Sequence, residues 1–457
     1  DVNEIWTKLK TIAHEEAKAA MKQAKPSYLG ISKGTLALIE ERAVLWKLAS
    51  ASTPSVKQVR ELWRLKAKIQ TSVRRDKTRW LDEKAREVQM AVGTGQMRMA
   101  HKVIRQISGK VEGGAANLQT VDLERWRTHF VKLLGTATQE VPPELKEKRT
   151  WKLIEEILAE KSKFAPKWDV DASAPTLEEF RRVVMAQPNE KGLSRDQIPI
   201  ELFKHSERAC VLMWKLMVKV WDRMASSSPG EEIDMPADWV NAVLVCLFKG
   251  KGSRDDPAMY RGISLISVAE RLMASIVLKR VERPVDEWMR QNQNGFRPLK
   301  SCRDSVFRLW RELEKAKETK VPTIYTFVDF SKAFDSLVWA RMWEIIEFSG
   351  CPPALLAVIR CLHEHATISI RLNSAGDLAA EFKQKKGIRQ GSGLSPCLFV
   401  LVLDFVFRVY EIACAEVLGL DRTKAWNAYA DDVADMVQAT ESESAAELEA
   451  RAGAVLQ

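Results

Sequence analysis

Two β patterns in the last third of the chain end on aspartates, and this limits the fold more than any other feature. Residues 323–328 form an apolar run that meets a turn at Asp329. Further on, residues 425–429 and 433–438 read as short strands separated only by Ala430, Asp431 and Asp432, a hairpin with acids at its tip. A strand end is a rigid platform, and adjacent carboxylates there repel one another unless a cation neutralises them. Hard oxygen donors of this kind suit Mg²⁺, which takes few carboxylates and completes its shell with water and phosphate oxygens. Two such ions, about 3.5–4 Å apart, can activate an attacking hydroxyl and stabilise a leaving phosphate oxygen. An Asp-Asp pair alone is usually a solvated turn, so the surrounding residues must decide.

Those surroundings alternate helix and strand. Helical patterns cover 176–187, 209–224, 267–290, 304–317 and 338–349, and a long apolar helix covers 395–418. Residues 242–248 read as a buried strand, while 367–372 and 378–384 flank Asn373-Ser374-Ala375-Gly376-Asp377, a hairpin signal.

Residues 1–135 differ: they read as a series of basic helices. The first 150 residues hold 29 Lys+Arg and 17 Asp+Glu, against 42 and 44 in the remaining 307. The whole formal excess of +10 therefore lies at the front. Arg64, Lys66, Lys68, Arg74, Arg75 and Arg79 are interleaved with Trp63, Leu65 and Ile69. A one-signed, Trp-bearing stretch is suited to a phosphate backbone, though a solvated helix face has the same composition. Gly113-Gly114 and Pro142-Pro143 mark breaks.

Several other functions lose their support. Seven scattered cysteines with no Cys-x-x-Cys pair read as reduced core thiols of an intracellular protein. The most apolar run, 397–407, is interrupted by Asp404 and followed by Arg408 and Glu411, too short and charged to span a bilayer. No signal-peptide pattern is present. In His363-Glu364-His365 the spacing sends the two rings to different faces of a helix, which favours packing over metal ligation. Lys249-Gly250-Lys251-Gly252-Ser253 lacks the first glycine of a phosphate-binding P-loop.

The ordered set Asn294-Gly295-Phe296-Arg297, Asp329-Phe330-Ser331-Lys332-Ala333-Phe334-Asp335, Gly387-Ile388-Arg389-Gln390-Gly391 with Ser395-Pro396, and Tyr429-Ala430-Asp431-Asp432 resembles reverse transcriptase. The closer likeness is to the RNA-directed DNA polymerases of non-LTR (LINE-type) retrotransposons. Pro236-Ala237-Asp238-Trp239, Leu247-Phe248-Lys249 and Tyr260-Arg261-Gly262-Ile263-Ser264-Leu265 fit the same family. So does Arg125-Trp126-Arg127-Thr128-His129-Phe130 in the basic leader.

The resemblance implies an α+β right-hand polymerase: a basic helical extension over 1–135, a linker over 136–175, fingers with the start of the palm over 176–322, and palm over 323–457. The palm would stop shortly after the hairpin, with no thumb, so the sequence reads as a piece of a longer protein. It further implies Asp329, Asp431 and Asp432 as catalytic, metal-binding residues for two Mg²⁺ ions, with Mn²⁺ a possible substitute, Asp432 the less direct ligand. Lys249 and Arg261 would hold the triphosphate, and Gln390 and Gly391 would line the nucleotide pocket. Phe334 would exclude the ribose 2′-OH, a core aromatic being its other reading. Arg297 and the leader cations would contact nucleic acid. Partners would be an RNA template, a DNA primer and dNTPs, with no membrane, at an intracellular and in part nuclear location. An inactive nucleic-acid-binding remnant and a group II intron-type maturase are the alternatives.

The chain departs from the family in places. In Lys191-Gly192-Leu193-Ser194-Arg195-Asp196-Gln197-Ile198-Pro199, Ser194 and Gln197 stand where glycines are usual, and Gly393 replaces a commoner proline.

Overall fold

The structure, a computed structural model, describes residues 1–23, 31–50, 55–93, 99, 103, 123–136, 143–160, 167–189, 191–371, 378, 381–423, 425–440 and 443–456. The chain is α+β and forms two compact units, Glu15–Gly114 and a larger one of Asp1–His14 with Ala115–Gln457. The loop expected at 373–377 and the Gly113-Gly114 break lie outside the described residues.

Helix α1 (Val2–Gln23) opens the chain. In the smaller unit, α2 (Lys33–Ser50) packs along α3 (Val56–Gly93). Helix α3 runs for 38 residues and is polar on most sides, so its contacts with α2 matter for holding it. Asp76 supplies one: its Oδ2 accepts from Ser32 N–H at 2.8 Å and Thr35 Oγ1 at 2.6 Å. The start of α2 is thereby tied to the middle of α3.

The larger unit takes in residues that the sequence pattern assigned to a separate extension. Val2, Trp6, Leu9 and Ile12 of α1 are buried in the main core, and Trp6 Nε1 donates to Asp238 Oδ2 at 2.9 Å. Helix α4 (Leu123–Phe130) runs into the wider turn Val131–Gly135, and its Trp126 and Phe130 are buried beside Tyr260. The stretch expected as a linker contains α5 (Arg149–Ala159), whose Leu153, Ile157 and Leu158 join the main core. Their i, i+4, i+5 spacing forms a helical stripe that needs a partner. Beyond it lie α6 (Leu177–Ala186) and α7 (Glu207–Ala225), each started by a hydroxyl cap, Thr176 and Ser206.

The strands are β1 (Asn241–Phe248), β2 (Tyr260–Leu265), β3 (Thr323–Asp329), β4 (Thr367–Ile370), β5 (Phe382–Lys383), β6 (Trp426–Tyr429) and β7 (Asp432–Gln438). One sheet has the order β2-β1-β4-β5, with β1 and β4 parallel and the outer pairs antiparallel. The other has the order β3-β7-β6, antiparallel throughout. Between them in sequence run α8 (Val268–Trp288), α9 (Cys302–Thr319), α10 (Trp339–Phe348), α11 (Pro353–Glu364) and α12 (Ser395–Leu418), and α13 (Ala445–Leu456) follows. The main core gathers α7, α8, α10, α11 and α12.

Helix α12 matches the sequence expectation at both ends. Pro396 sits in its first turn, and Gly419 (φ 65) follows its last residue, with Leu420 N–H closing back on Cys414 O at 3.1 Å. Its buried Asp404 is held by Arg290 and Arg408. Six of the seven cysteines are buried, as expected of core thiols; Cys302, at the start of α9, is exposed. Among the described residues, no helix is long and apolar enough to cross a membrane.

Candidate active site

The three-stranded sheet has one buried face and one open face. Val328, Thr326 and Ile324 of β3 pair with Val433, Asp435 and Val437 of β7, and this row turns inward. The alternate row pairs Asp329 with Asp432 and Phe327 with Ala434, while Tyr429 pairs with Asp432 from the other side. Tyr429, Asp432 and Asp329 therefore stand in one line across β6, β7 and β3, on the same face. Asp431 lies in the two-residue turn between β6 and β7. Beside this row a cleft of about 260 Å³ runs between α9 and the sheet, reaching from Val306 and Phe327 to Asp329 and Asp432.

Among the described residues, no three His, Cys, Asp or Glu side chains are gathered into a ready-made metal cage. Asp329, Asp431 and Asp432 nonetheless lie at adjoining strand ends, at the C-terminus of β3 and the tip of the β6–β7 hairpin. What the ladder does provide is a pair of carboxylates facing each other across two strands. That donor set fits Mg²⁺, which is held by one or two carboxylates plus water and phosphate oxygens.

The turn carrying Asp431 is held from outside the hairpin. Residues 292–295 run alongside β6: Ala428 N–H donates to Asn292 O and Asn294 N–H to Ala428 O, both at 2.9 Å. Gln293, fully buried, accepts from Ala430 N–H at 2.9 Å and Gly295 N–H at 2.7 Å, and its Nε2 donates to Ala430 O at 3.2 Å. A Cβ on Gly295 would lie 2.1 Å from Ala430 N, so only glycine permits this approach.

Arg297 does not face solvent. Its side chain is 3% exposed; it pairs with Asp286 at 2.6 Å and donates to Asp286 O, Arg290 O and Gln293 O. Its expected role as a nucleic-acid contact is corrected: all these bonds are spent on fixing the 286–293 backbone. A GFR motif shows an arginine, but the sequence carries no sign of which carbonyls it will cap.

The second half of the site is the loop Gly387–Gly391, named from its glycines. Gly391 (φ 139) lies so close to β2 that a Cβ would meet Ser264 O at 2.2 Å, and Ser264 N–H donates to Gln390 O at 2.7 Å. Gln390 Nε2 reaches Asp335 Oδ1 at 3.4 Å. Burial pushes the Asp335 carboxyl up to about 6, against the pull of the Gln390 bond and of Lys332 and Lys249. Burial, then Lys332 and Lys249 among neighbouring charges, also holds His129 below the usual imidazole range. Lys332 and Lys249 thus act on both Asp335 and His129; Lys332 and His129 each sit in a motif of the sequence, with no local sign that they share this environment with Lys249. Lys249 Nζ donates to Ala258 O at 2.8 Å, and Arg261 is exposed on β2, opposite Leu247. The Phe334 ring is half-buried, stacked on Phe399 at 4.8 Å and edge-on to Phe296 at 6.3 Å. Both earlier readings of it remain compatible with that position.

Buried polar groups support these parts from behind. Arg389 is paired with Glu270 at 2.6 Å and donates to Leu362 O, which anchors the Gly387–Gly391 loop to α8 and α11. Burial pushes Glu270 up to about 7, with Arg389 opposing it. On the inward face of the hairpin, Asp435 accepts from Arg422 at 2.5 Å and from Tyr410 Oη at 3.1 Å. Trp426 Nε1 donates to Glu411, which also pairs with Arg290. None of these was flagged from the sequence, where a buried acid looks like any other acid. His363 is a buried packing residue, held by Ile359 O at 2.8 Å and lowered to about 4 by burial. In the expected fingers motif, Gln197 has φ 55, the conformation a glycine would adopt freely, and its own side chain bonds Ser194 O at 2.5 Å.

On α3, Arg64, Lys66, Lys68, Arg74, Arg75 and Arg79 are all exposed. At 3.6 residues per turn, Arg64, Lys68, Arg75 and Arg79 share one face, while Lys66 and Arg74 fall elsewhere. Lys66 Nζ lies 5.1 Å from the centre of the exposed Trp63 ring.

Comparison with known proteins meets this geometry. Residues 249–452 match the family described as reverse transcriptase (RNA-dependent DNA polymerase). The chain is 30% identical over 177 residues to a Pol polyprotein of the type-2 retrotransposable element R2DM of Drosophila melanogaster. Residues 249–452 are a reverse transcriptase domain of the non-LTR retrotransposon type. The R2DM match covers 39% of this chain and 16% of that relative. A probable RNA-directed DNA polymerase from transposon X-element of the same fly is 25% identical over 227 residues, 49% of this chain and 24% of the relative. A putative 115 kDa protein of element R1DM, also from that fly, is 26% identical over 206 residues, 44% and 18%. The chain thus spans under a quarter of the length of these relatives. Within the reverse transcriptase domain lie Asp329, Gln390 and the Tyr429–Asp432 hairpin, while α1 to α7 lie outside it.

Proposed function

We propose that this chain carries the polymerase centre of a non-LTR retrotransposon reverse transcriptase, extending a DNA primer with dNTPs on an RNA template. The observation that carries the reading is the Asp329–Asp432 pair, placed by strand register on the open face of the β3-β7-β6 sheet. In this reading β3, β6 and β7 belong to the palm and the β2-β1-β4-β5 sheet to the fingers, with the cationic helix α3 as a separate handle for nucleic acid.

Asp329 and Asp432, with Asp431 beside them, would hold divalent ions, Mg²⁺ or Mn²⁺. Bound there, the ions supply positive charge to the phosphate oxygens and make the primer 3′-hydroxyl a better nucleophile. The chain's own residues do the positioning. Lys249, Lys332 and Arg261 bring positive charge to the triphosphate side, where charge builds as pyrophosphate leaves. Gln390, fixed at its carbonyl by Ser264, lines the nucleotide pocket, and the glycines at 387 and 391 let the backbone close on it. Phe334, stacked on Phe399 and edge-on to Phe296, would bar a 2′-hydroxyl by contact. Catalysis then rests on alignment and charge, without a covalent intermediate.

The test is primer extension on an RNA template with labelled DNA primer and dNTPs. The expected result is Mg²⁺-dependent extension that Asp329→Asn lowers by at least about 10²-fold, the scale of losing one transition-state stabiliser. Extension by Asp329→Asn at the unsubstituted rate would overturn the assignment.

A further inference from the structure

We infer that Gln293 is the positioning residue for Asp431, setting the conformation of the turn at the tip of the β6–β7 hairpin. The inference rests on the function proposed above for what Asp431 does, but the positioning itself is independent of it.

The three aspartates are not held alike. Asp329 and Asp432 are paired strand residues, so the ladder fixes their backbones. Asp431 has no ladder partner, and the residue before it, Ala430, has φ 57. Outside glycine, that left-handed conformation costs about 1–2 kcal/mol, so Ala430 does not adopt it for local reasons. A two-residue hairpin turn with a positive φ at its first position normally carries glycine there. Here an external group substitutes for that preference. Gln293 engages both backbone polar groups of Ala430 at once, its Oε1 accepting the N–H and its Nε2 donating to the carbonyl. The same Oε1 accepts Gly295 N–H, so the clamp also fixes its own backbone.

The geometry leaves little slack. Gln293 is fully buried, and Gly295 lies against Ala430 so closely that no other residue fits. The base of the clamp is held by Arg297, which donates to Gln293 O and Arg290 O. A chain of contacts therefore runs from Asp286 through Arg297 and Gln293 to the peptide that precedes Asp431. Without the clamp, three backbone groups, the N–H and carbonyl of Ala430 and the N–H of Gly295, lose their Gln293 partner, and the Ala430 conformation loses its support.

The experiment compares Gln293→Met, which keeps the volume and removes all three bonds, with Gln293→Glu, which keeps acceptor oxygens for both N–H groups. Two readouts are taken on the protein without nucleic acid. One is amide exchange of the peptide spanning 426–433 in the metal-free protein; the other is Mn²⁺ affinity measured by electron paramagnetic resonance, with Asp431→Asn as reference. Gln293→Met should speed exchange of that peptide and weaken Mn²⁺ binding about 10–100-fold, the usual effect of removing a group that orients a ligand. Exchange in α8 should be unchanged, and Gln293→Glu, which keeps the two acceptor bonds but sets an oxygen against Ala430 O, should recover only part of the protection. Unchanged exchange and Mn²⁺ affinity in Gln293→Met would overturn the inference. So would loss of protection throughout the chain, which would mark a merely structural residue. If the turn loosens as expected but the unsubstituted protein extends no primer, it is the proposed function that fails.

Discussion

Asp329 stands directly opposite Asp432 in the antiparallel ladder of β3 and β7. Two like charges placed face to face across strands destabilise a sheet by about 0.2–1 kcal/mol. A chain selected for stability alone would not keep them. Asp329→Asn or Asp432→Asn should therefore raise the melting temperature of the metal-free protein slightly while lowering primer extension. Mg²⁺ should stabilise the unsubstituted protein and have less effect on either variant. Thermal melts with and without Mg²⁺ check this; a variant that melts lower without metal would show that the pair is not repulsive.

The strand ends and the acids on them were legible because period-two alternation and turn residues are local. Helix α12 was legible at both ends for the same reason, through Pro396 and Gly419. What the sequence hid is what depends on distant partners. Residues 1–14 look like any amphipathic helix until Trp6 meets Asp238. The stretch at 149–159 carries Leu153, Ile154, Ile157 and Leu158 at helical spacing, but nothing local shows which distant core that stripe joins. Arg297 shows the same limit: the motif names the residue, and only the fold shows that its donors point inward.

Arg297→Met should consequently destabilise the protein without changing how nucleic-acid binding responds to salt. Removing one partner of a buried ion pair costs up to about 3–5 kcal/mol, here with the partly exposed Asp286 carboxylate and three carbonyls left behind. Arg297→Lys should recover little, because one ammonium cannot reproduce the planar fork. Denaturant titration together with the slope of log affinity against log salt separates the two roles; a lowered slope with intact stability would restore the phosphate-contact reading.

Phe334 offers a sharper separation of gate from core. Its ring stacks on Phe399 yet is only half-buried. Phe334→Ala should raise ribonucleotide incorporation relative to deoxynucleotide, and Phe334→Leu should do so less. If both variants lose stability but keep the dNTP/rNTP ratio in single-nucleotide extension, the ring is a packing residue.

Asp335 predicts a pH dependence of stability. Burial raises its folded value to about 6, above the ordinary 3.8, so the folded state binds this proton more tightly than the unfolded chain. Stability from this group is therefore present below about pH 4 and is lost as pH rises towards about 6. The full span is up to about 3 kcal/mol. Asp335→Asn cannot ionise and should remove this slope, while still being able to bond Gln390. Denaturant midpoints between pH 4 and 7 for both proteins make the comparison; parallel curves would refute it.

The stripe on α3 gives a count that can be checked. Arg64, Lys68, Arg75 and Arg79 lie on one face over about 22 Å, taking 1.5 Å of rise per residue. If all four neutralise phosphates on a duplex, their replacement by Gln should reduce the slope of log affinity against log salt by about 3.6, or by about 2.8 on a single strand. Replacing Lys66 and Arg74, which lie off that face, should change the slope much less. Binding measured by fluorescence anisotropy across a salt series distinguishes the two sets. Equal reductions for both would mean that the helix acts as a diffuse cation, with no preferred face. No reduction from the four-residue variant would mean that these charges only keep a long polar helix in solution.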